Sequence, residues 1–190
     1  MNERARLWTN ALAYQAVWFA AVIGAGKGLW WPGVAAAALF VAVQLQQSRE
    51  RSIDLRLLAA ALACGVLVDG AMASSGLANY AASSPAFPGG APLWLLAIWA
   101  CFALTLRRSM RVLLGRPYLA MAIGAIGGPL AYLGAARGWQ AIDVAEPRWQ
   151  AIAVLALAWS LALPALVLLA TRLPTGTSLS DPIPPRGHAP

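Results

Sequence analysis

Charge is the first thing this sequence lacks. Over 190 residues it carries seven acids, fourteen bases and one histidine, so charged residues make up 11% of the chain. An average soluble domain holds about 25%, and a surface so poor in charge cannot face water throughout. Cysteine is nearly missing too. Cys64 and Cys101 stand alone, each inside an apolar block. Two isolated thiols exclude a disulfide framework and a cysteine metal site, since both need more ligands at defined spacing. They read as small hydrophobes in a helix core. The one histidine, His188, lies in a Pro- and Ser-rich tail. No Ser/His/Asp triad and no catalytic carboxylate pair can be assembled from this inventory, and neither a metal nor a cofactor is expected.

What the chain has in abundance is apolar sequence: 60% of residues are hydrophobic and the mean hydropathy is +0.64. The apolar residues fall in six blocks, at 7–26, 30–46, 55–77, 92–106, 117–136 and 149–171. Each is near the length needed to cross a bilayer. The expected fold is therefore all-α, a polytopic membrane protein with six transmembrane helices arranged as three hairpins over residues 1–172. The first block starts on Arg4 and Arg6 like a signal peptide, but Asn10, Tyr14, Gln15 and Trp18 interrupt it and no small-residue cleavage site follows. Residues 173–190 are rich in Pro, Ser and Gly and predict a disordered cytoplasmic tail.

The basic residues set the orientation. Alternate connections hold Arg4, Arg6, Arg49, Arg51, Arg56, Arg107, Arg108, Arg111, Arg116, Arg172 and Arg186 on one side, and only Lys27, Arg137 and Arg148 on the other. Cytoplasmic loops retain positive charge, so both termini are expected in the cytoplasm. Trp30, Trp31, Tyr80, Trp94, Trp139 and Trp149 fall near the outer boundary, and Trp8 and Tyr118 near the inner one, as aromatic belts do. A net charge of +7 divided among loops forms no face for phosphates, which excludes nucleic acid. The preference for Arg over Lys, with Lys27 alone, and the abundance of Ala fit a GC-rich bacterial genome.

One acid, Asp69, falls in the middle of a block, in "ACGVLVDGAMASSG". A charged side chain there costs about 2.5 to 3.5 kcal/mol on insertion scales. Gly65, Asp69 and Ala73 lie at intervals of four, so a small-residue face carries the carboxyl toward other helices. Counting about 1.5 Å per residue places Trp99 and Tyr132 at its depth, and Trp18 slightly deeper. Asn10, Tyr14 and Gln15 continue the polar arc of the first block. These residues predict a polar pocket in the outer half, serving either as a structural hydrogen-bond hub or as a site for a substrate or proton.

Other motifs are weaker. "VIGAGKG" ends in Gly28 where a phosphate loop needs Ser or Thr, and Ala21 replaces its first Gly, so it reads as a turn. Gly124 and Gly128 have the spacing that lets helices approach closely, within one chain or between two copies in a homodimer. Pro129 and Pro164 are expected to kink the fifth and sixth spans. Arg107, Arg108, Arg111 and Arg116 read as a topology signal, or as a patch for lipid head groups.

The stretches "TNALAYQAVW", "WWPG", "LVDG", "PLWLLAIWACFALTL" and "GGPLAYLGA" together resemble an uncharacterised family of small bacterial inner-membrane proteins, classed as a domain of unknown function. The resemblance covers the chain to about Thr171 and implies a multi-pass inner-membrane protein. Family members are sometimes encoded beside enzymes that modify fatty acyl chains, which implies a link to lipid metabolism and transfers no catalytic residue. Three classes stay open: a non-enzymatic accessory protein, a small and proton-linked transporter, and a membrane enzyme acting on a lipid. Membrane lipids, a second copy or a membrane enzyme are the partners these classes imply.

Overall fold

Segments of Ala, Leu and Val with few internal charges can satisfy their backbone N–H and C=O groups in an apolar medium only by coiling on themselves. The computed structural model, which describes residues 2–172, shows six α-helices that coincide with the six apolar blocks. They are α1 (Glu3–Gly26), α2 (Trp31–Gln46), α3 (Arg51–Ser74), α4 (Leu93–Ala103), α5 (Pro117–Trp139) and α6 (Arg148–Arg172). The starts follow capping chemistry. The Asn2 side chain accepts from the Ala5 N–H at 2.8 Å, and Pro32 and Pro117 occupy first-turn positions where no N–H is needed. The tail expectation for 173–190, with His188, lies outside the described residues.

Among the described residues three helices, α3, α5 and α6, are long and apolar enough to cross a membrane. Six spans were expected, and the other three helices fall short of that length or apolarity. α2 and α4 are apolar but only 16 and 11 residues long. α1 has 24 residues, yet Glu3, Arg4, Arg6, Asn10 and Gln15 dilute its apolarity. The fourth block helixes only to Ala103, then turns through Leu104–Met110 into a short 3-10 segment at Arg111–Leu113. α4 is apolar on every face and mostly buried: Trp94, Leu95, Leu96, Trp99, Cys101, Phe102 and Ala103 are inside, while Leu93, Ala97, Ile98 and Ala100 are partly buried. It packs against α1, α2 and α3.

Consecutive helices pair as α1 with α2, α3 with α4, and α5 with α6. Glycines set how closely they approach. A Cβ on Gly33 would lie 2.5 Å from the Ala21 Cβ, and one on Gly124 would lie 2.3 Å from the Trp159 carbonyl oxygen. Both α5 and α6 run unbroken through their internal prolines, Pro129 and Pro164, each of them buried.

The described residues are all-α in class, as expected, and the loops add one short strand pair: β1 (Ala78–Tyr80) and β2 (Ile142–Val144) pair antiparallel, Ala78 opposite Val144 and Tyr80 opposite Ile142. Their alternation turns Ala78, Tyr80, Ile142 and Val144 inward and Asn79 and Asp143 outward. The pair closes the end of the bundle where α3 and α5 finish. Two residues expected in an aromatic belt belong to this cap instead. Trp94 is fully buried and donates its Nε1–H to the Ala81 carbonyl at 3.0 Å, while Tyr80 faces the core. Trp30, Trp31 and Trp149 are exposed.

Candidate functional site

Asp69 sits four residues after Gly65 on the inner face of α3 and is completely buried. The missing side chain of Gly65 makes room for its neighbour, since a Cβ there would fall 2.6 Å from the Trp99 ring. Trp99 therefore slides past α3 and donates its Nε1–H to Asp69 Oδ2 at 2.7 Å. Oδ1 accepts from two phenols, the Tyr80 hydroxyl at 3.0 Å and the Tyr132 hydroxyl in a short contact. One carboxyl thus joins α3, β1, α4 and α5. Hydrogen bonds to a charged group contribute about 1.5 to 3 kcal/mol each, and three of them together can offset a burial cost of several kcal/mol.

Ring contacts brace the donors. Trp99 stacks on Trp159, with centroids 4.3 Å apart and planes 15° from parallel, and Trp159 in turn lies over Gly128. Tyr80 meets Trp94 edge-on at 6.4 Å. Burial first, and then the neighbouring Asp69 carboxyl, hold the Tyr80 phenol above its ordinary value, so it stays a donor. Beside the hub lies a cavity of about 60 Å³ bordered by Tyr14, Trp18, Trp99 and Tyr132.

The polar arc of α1 does not converge on this hub as expected. Trp18 lines the cavity but packs edge-on against Phe19 and Trp139. Tyr14 also lines it, tilted against Phe102, and Gln15 is exposed. Asn10 belongs to the opposite end of the bundle, where its Oδ1 accepts from the Ser109 hydroxyl at 2.7 Å. The reason is helical rise: eight residues separate Asn10 from Trp18, which is about 12 Å along the axis.

At that opposite end the expected arginine patch is largely paired. Arg107 bonds Glu50 and Arg111 bonds Glu3, both in short contacts. Arg108 bonds Asp54 at 2.8 Å and also donates to the Leu104 and Gln44 carbonyls at 2.9 and 3.2 Å. Arg116 is exposed just ahead of α5. Asp54 is 2% exposed. Sequence reasoning passed over it because the third block seemed to begin at Leu55, whereas α3 begins at Arg51 and carries Asp54 inside. Tyr80 was missed as a site residue for another reason: a three-residue strand leaves too short an alternation to recognise.

The packing residues also find places. Gly124 and Gly128 are filled against Trp159 of the same chain, and Ala73 lies against Gly90 of the cap. Among the described residues no group of three or more His, Cys, Asp or Glu is placed to hold a metal ion.

No curated protein and no solved structure matches this chain. A family described as "Protein of unknown function (DUF2878)" matches residues 7–165. That span takes in the whole Asp69 hub, the cap strands and Arg107–Arg116 but not Glu3 or Arg6, and the chain belongs to this uncharacterised family.

Proposed function

We propose that the protein is a multi-pass bacterial inner-membrane protein that crosses the bilayer six times with both termini cytoplasmic. It serves lipid metabolism as a non-enzymatic accessory protein. The pairing of consecutive helices and the eleven-to-three division of basic residues support the six crossings. In this reading α1 crosses over its 24 residues, and α2 and α4, each shorter than a hydrocarbon core of about 30 Å, cross together with the segments that flank them, such as the buried turn Leu104, Thr105 and Leu106 after α4.

The observation that carries the non-enzymatic reading is the engagement of both Asp69 oxygens by three donors. Its two oxygens already accept from Trp99, Tyr80 and Tyr132, which are anchored in three separate elements. A carboxyl so occupied is a rivet between helices. The second reading is a proton-linked transporter, favoured by the cavity of about 60 Å³ against Tyr132 and Trp99. It has room for a few waters, since one needs roughly 10 to 15 Å³ on this measure.

Asp69→Asn and Asp69→Leu separate the two. As a rivet, Asp69→Asn keeps shape and an acceptor oxygen for the two phenols but turns its NH2 toward the Trp99 N–H, so it should lower folded yield less than Asp69→Leu does, and the protein that folds should restore the membrane lipid composition of a deletion strain. Asp69→Leu leaves three buried donors unpaired, at about 1 to 3 kcal/mol each, and should lower the yield sharply. An Asp69→Asn protein that folds with wild-type helical content yet fails to complement at matched membrane levels would overturn the accessory reading in favour of proton coupling.

A further inference from the structure

α1 and α2 touch tightly at one end, where Gly33 meets Ala21 and Gly24 meets Pro32. Toward the arginine end they diverge, and a cleft of about 1140 Å³ opens between them. Its wall is apolar over Ala13, Ala16, Val17 and Ala20 of α1, faced by Ala36, Leu39, Phe40 and Val43 of α2. From Asn10 to Ala20 this wall runs about 15 Å at 1.5 Å per residue, half of a hydrocarbon core of about 30 Å. The cleft is therefore one leaflet deep.

Its mouth is cationic and unfinished. Five arginines line it against a single acid, Glu3. Arg107, Arg108 and Arg111 are committed to Glu50, Asp54 and Glu3, which leaves Arg6 and Arg49 as exposed cations with no acid partner among the described residues. Just inside, Asn10 is 4% exposed and its Nδ2 donor has no partner. Guanidinium forks and an amide donor above an apolar trough match a phosphate ester above an acyl chain.

We propose that this cleft binds one anionic phospholipid, its phosphate at Arg6 and Arg49 and an acyl chain along the trough between α1 and α2. The proposal rests on the reading that the chain spans a membrane, and it names the lipid class that this surface selects.

The test uses full-length protein in phosphatidylcholine vesicles containing phosphatidylglycerol with a photoactivatable acyl chain, with adducts mapped by peptide mass spectrometry. Adducts should concentrate on the α1 and α2 residues of the trough and exceed those from a matched phosphatidylcholine probe. Arg6→Gln with Arg49→Gln should cut them roughly thirtyfold, the scale of removing two surface cations. Both side chains are exposed and unpaired, so the double variant should keep its helical content; Ala16→Trp should block labelling by filling the trough. Equal labelling by the two probes, competition by inorganic phosphate, or chain-to-chain cross-links through the cleft would each overturn the proposal. Leu157 and Leu161 of α6, 64% and 59% exposed, report bilayer contact independently. Adducts there without adducts in the cleft refute the lipid site alone, and adducts at neither refute the membrane reading.

Discussion

Asp69 shows how much a single residue can reveal and conceal. A lone acid in an apolar block must be compensated, and its small-residue face pointed it inward, so the sequence predicted the partners Trp99 and Tyr132 at matching depth. The third donor was out of reach, because Tyr80 becomes a partner only when β1 is pulled against β2. Its contribution is separable. Tyr80→Phe keeps the ring that meets Trp94 and deletes only the hydroxyl, so it should destabilise the protein by about 1.5 to 3 kcal/mol. Thermal unfolding in detergent should register this as a lower midpoint with unchanged helical content; an unaltered midpoint would mean that Trp99 and Tyr132 alone suffice.

Among the elements, α4 and its neighbours decide how the bundle holds together. Being apolar all round, α4 fitted a membrane span as well as a buried helix, and periodicity could not separate the two. Its 11 residues end where Arg108 fastens the following turn to α3 through Asp54 and to α2 through a carbonyl. Asp54→Ala removes that fastening and leaves a partly hydrated Arg108. The expected loss is on the order of 2 kcal/mol, below the roughly 3 to 5 of a fully buried pair, and should appear as easier proteolysis around residues 104–116. α5 and α6 make a different point. The Gly124 and Gly128 spacing left open a contact within the chain or between copies, and Trp159 occupies it from within. Gly128→Leu should therefore reduce folded yield through overpacking of about 1 to 3 kcal/mol. If it instead abolished cross-linking between chains while leaving a folded monomer, the seam would belong to a dimer.

For the whole molecule the testable quantity is threading. A phosphatase reporter that works only outside the cytoplasm should be active when fused after Gly89 and silent after Arg111, and a cytoplasm-only fluorescent reporter should light up after Thr171. Activity after Arg111 would end the six-crossing reading. By itself the sequence determined where the helices lie and which end gathers the arginines, because hydropathy and charge are local quantities summed over a segment. It also determined that Asp69 must find partners inside, because an unpaired carboxyl in an apolar block is too costly to leave alone. Only the tertiary structure decided that the fourth helix is the core, that a strand pair caps the bundle, and that three arginines are already neutralised while Arg6 and Arg49 are not. Each of these depends on residues far apart in the chain meeting in space: Tyr80 with Ile142, Arg108 with Asp54, and Arg111 with Glu3. Such meetings follow from how the helices stack, a property of the assembled bundle that no single segment carries.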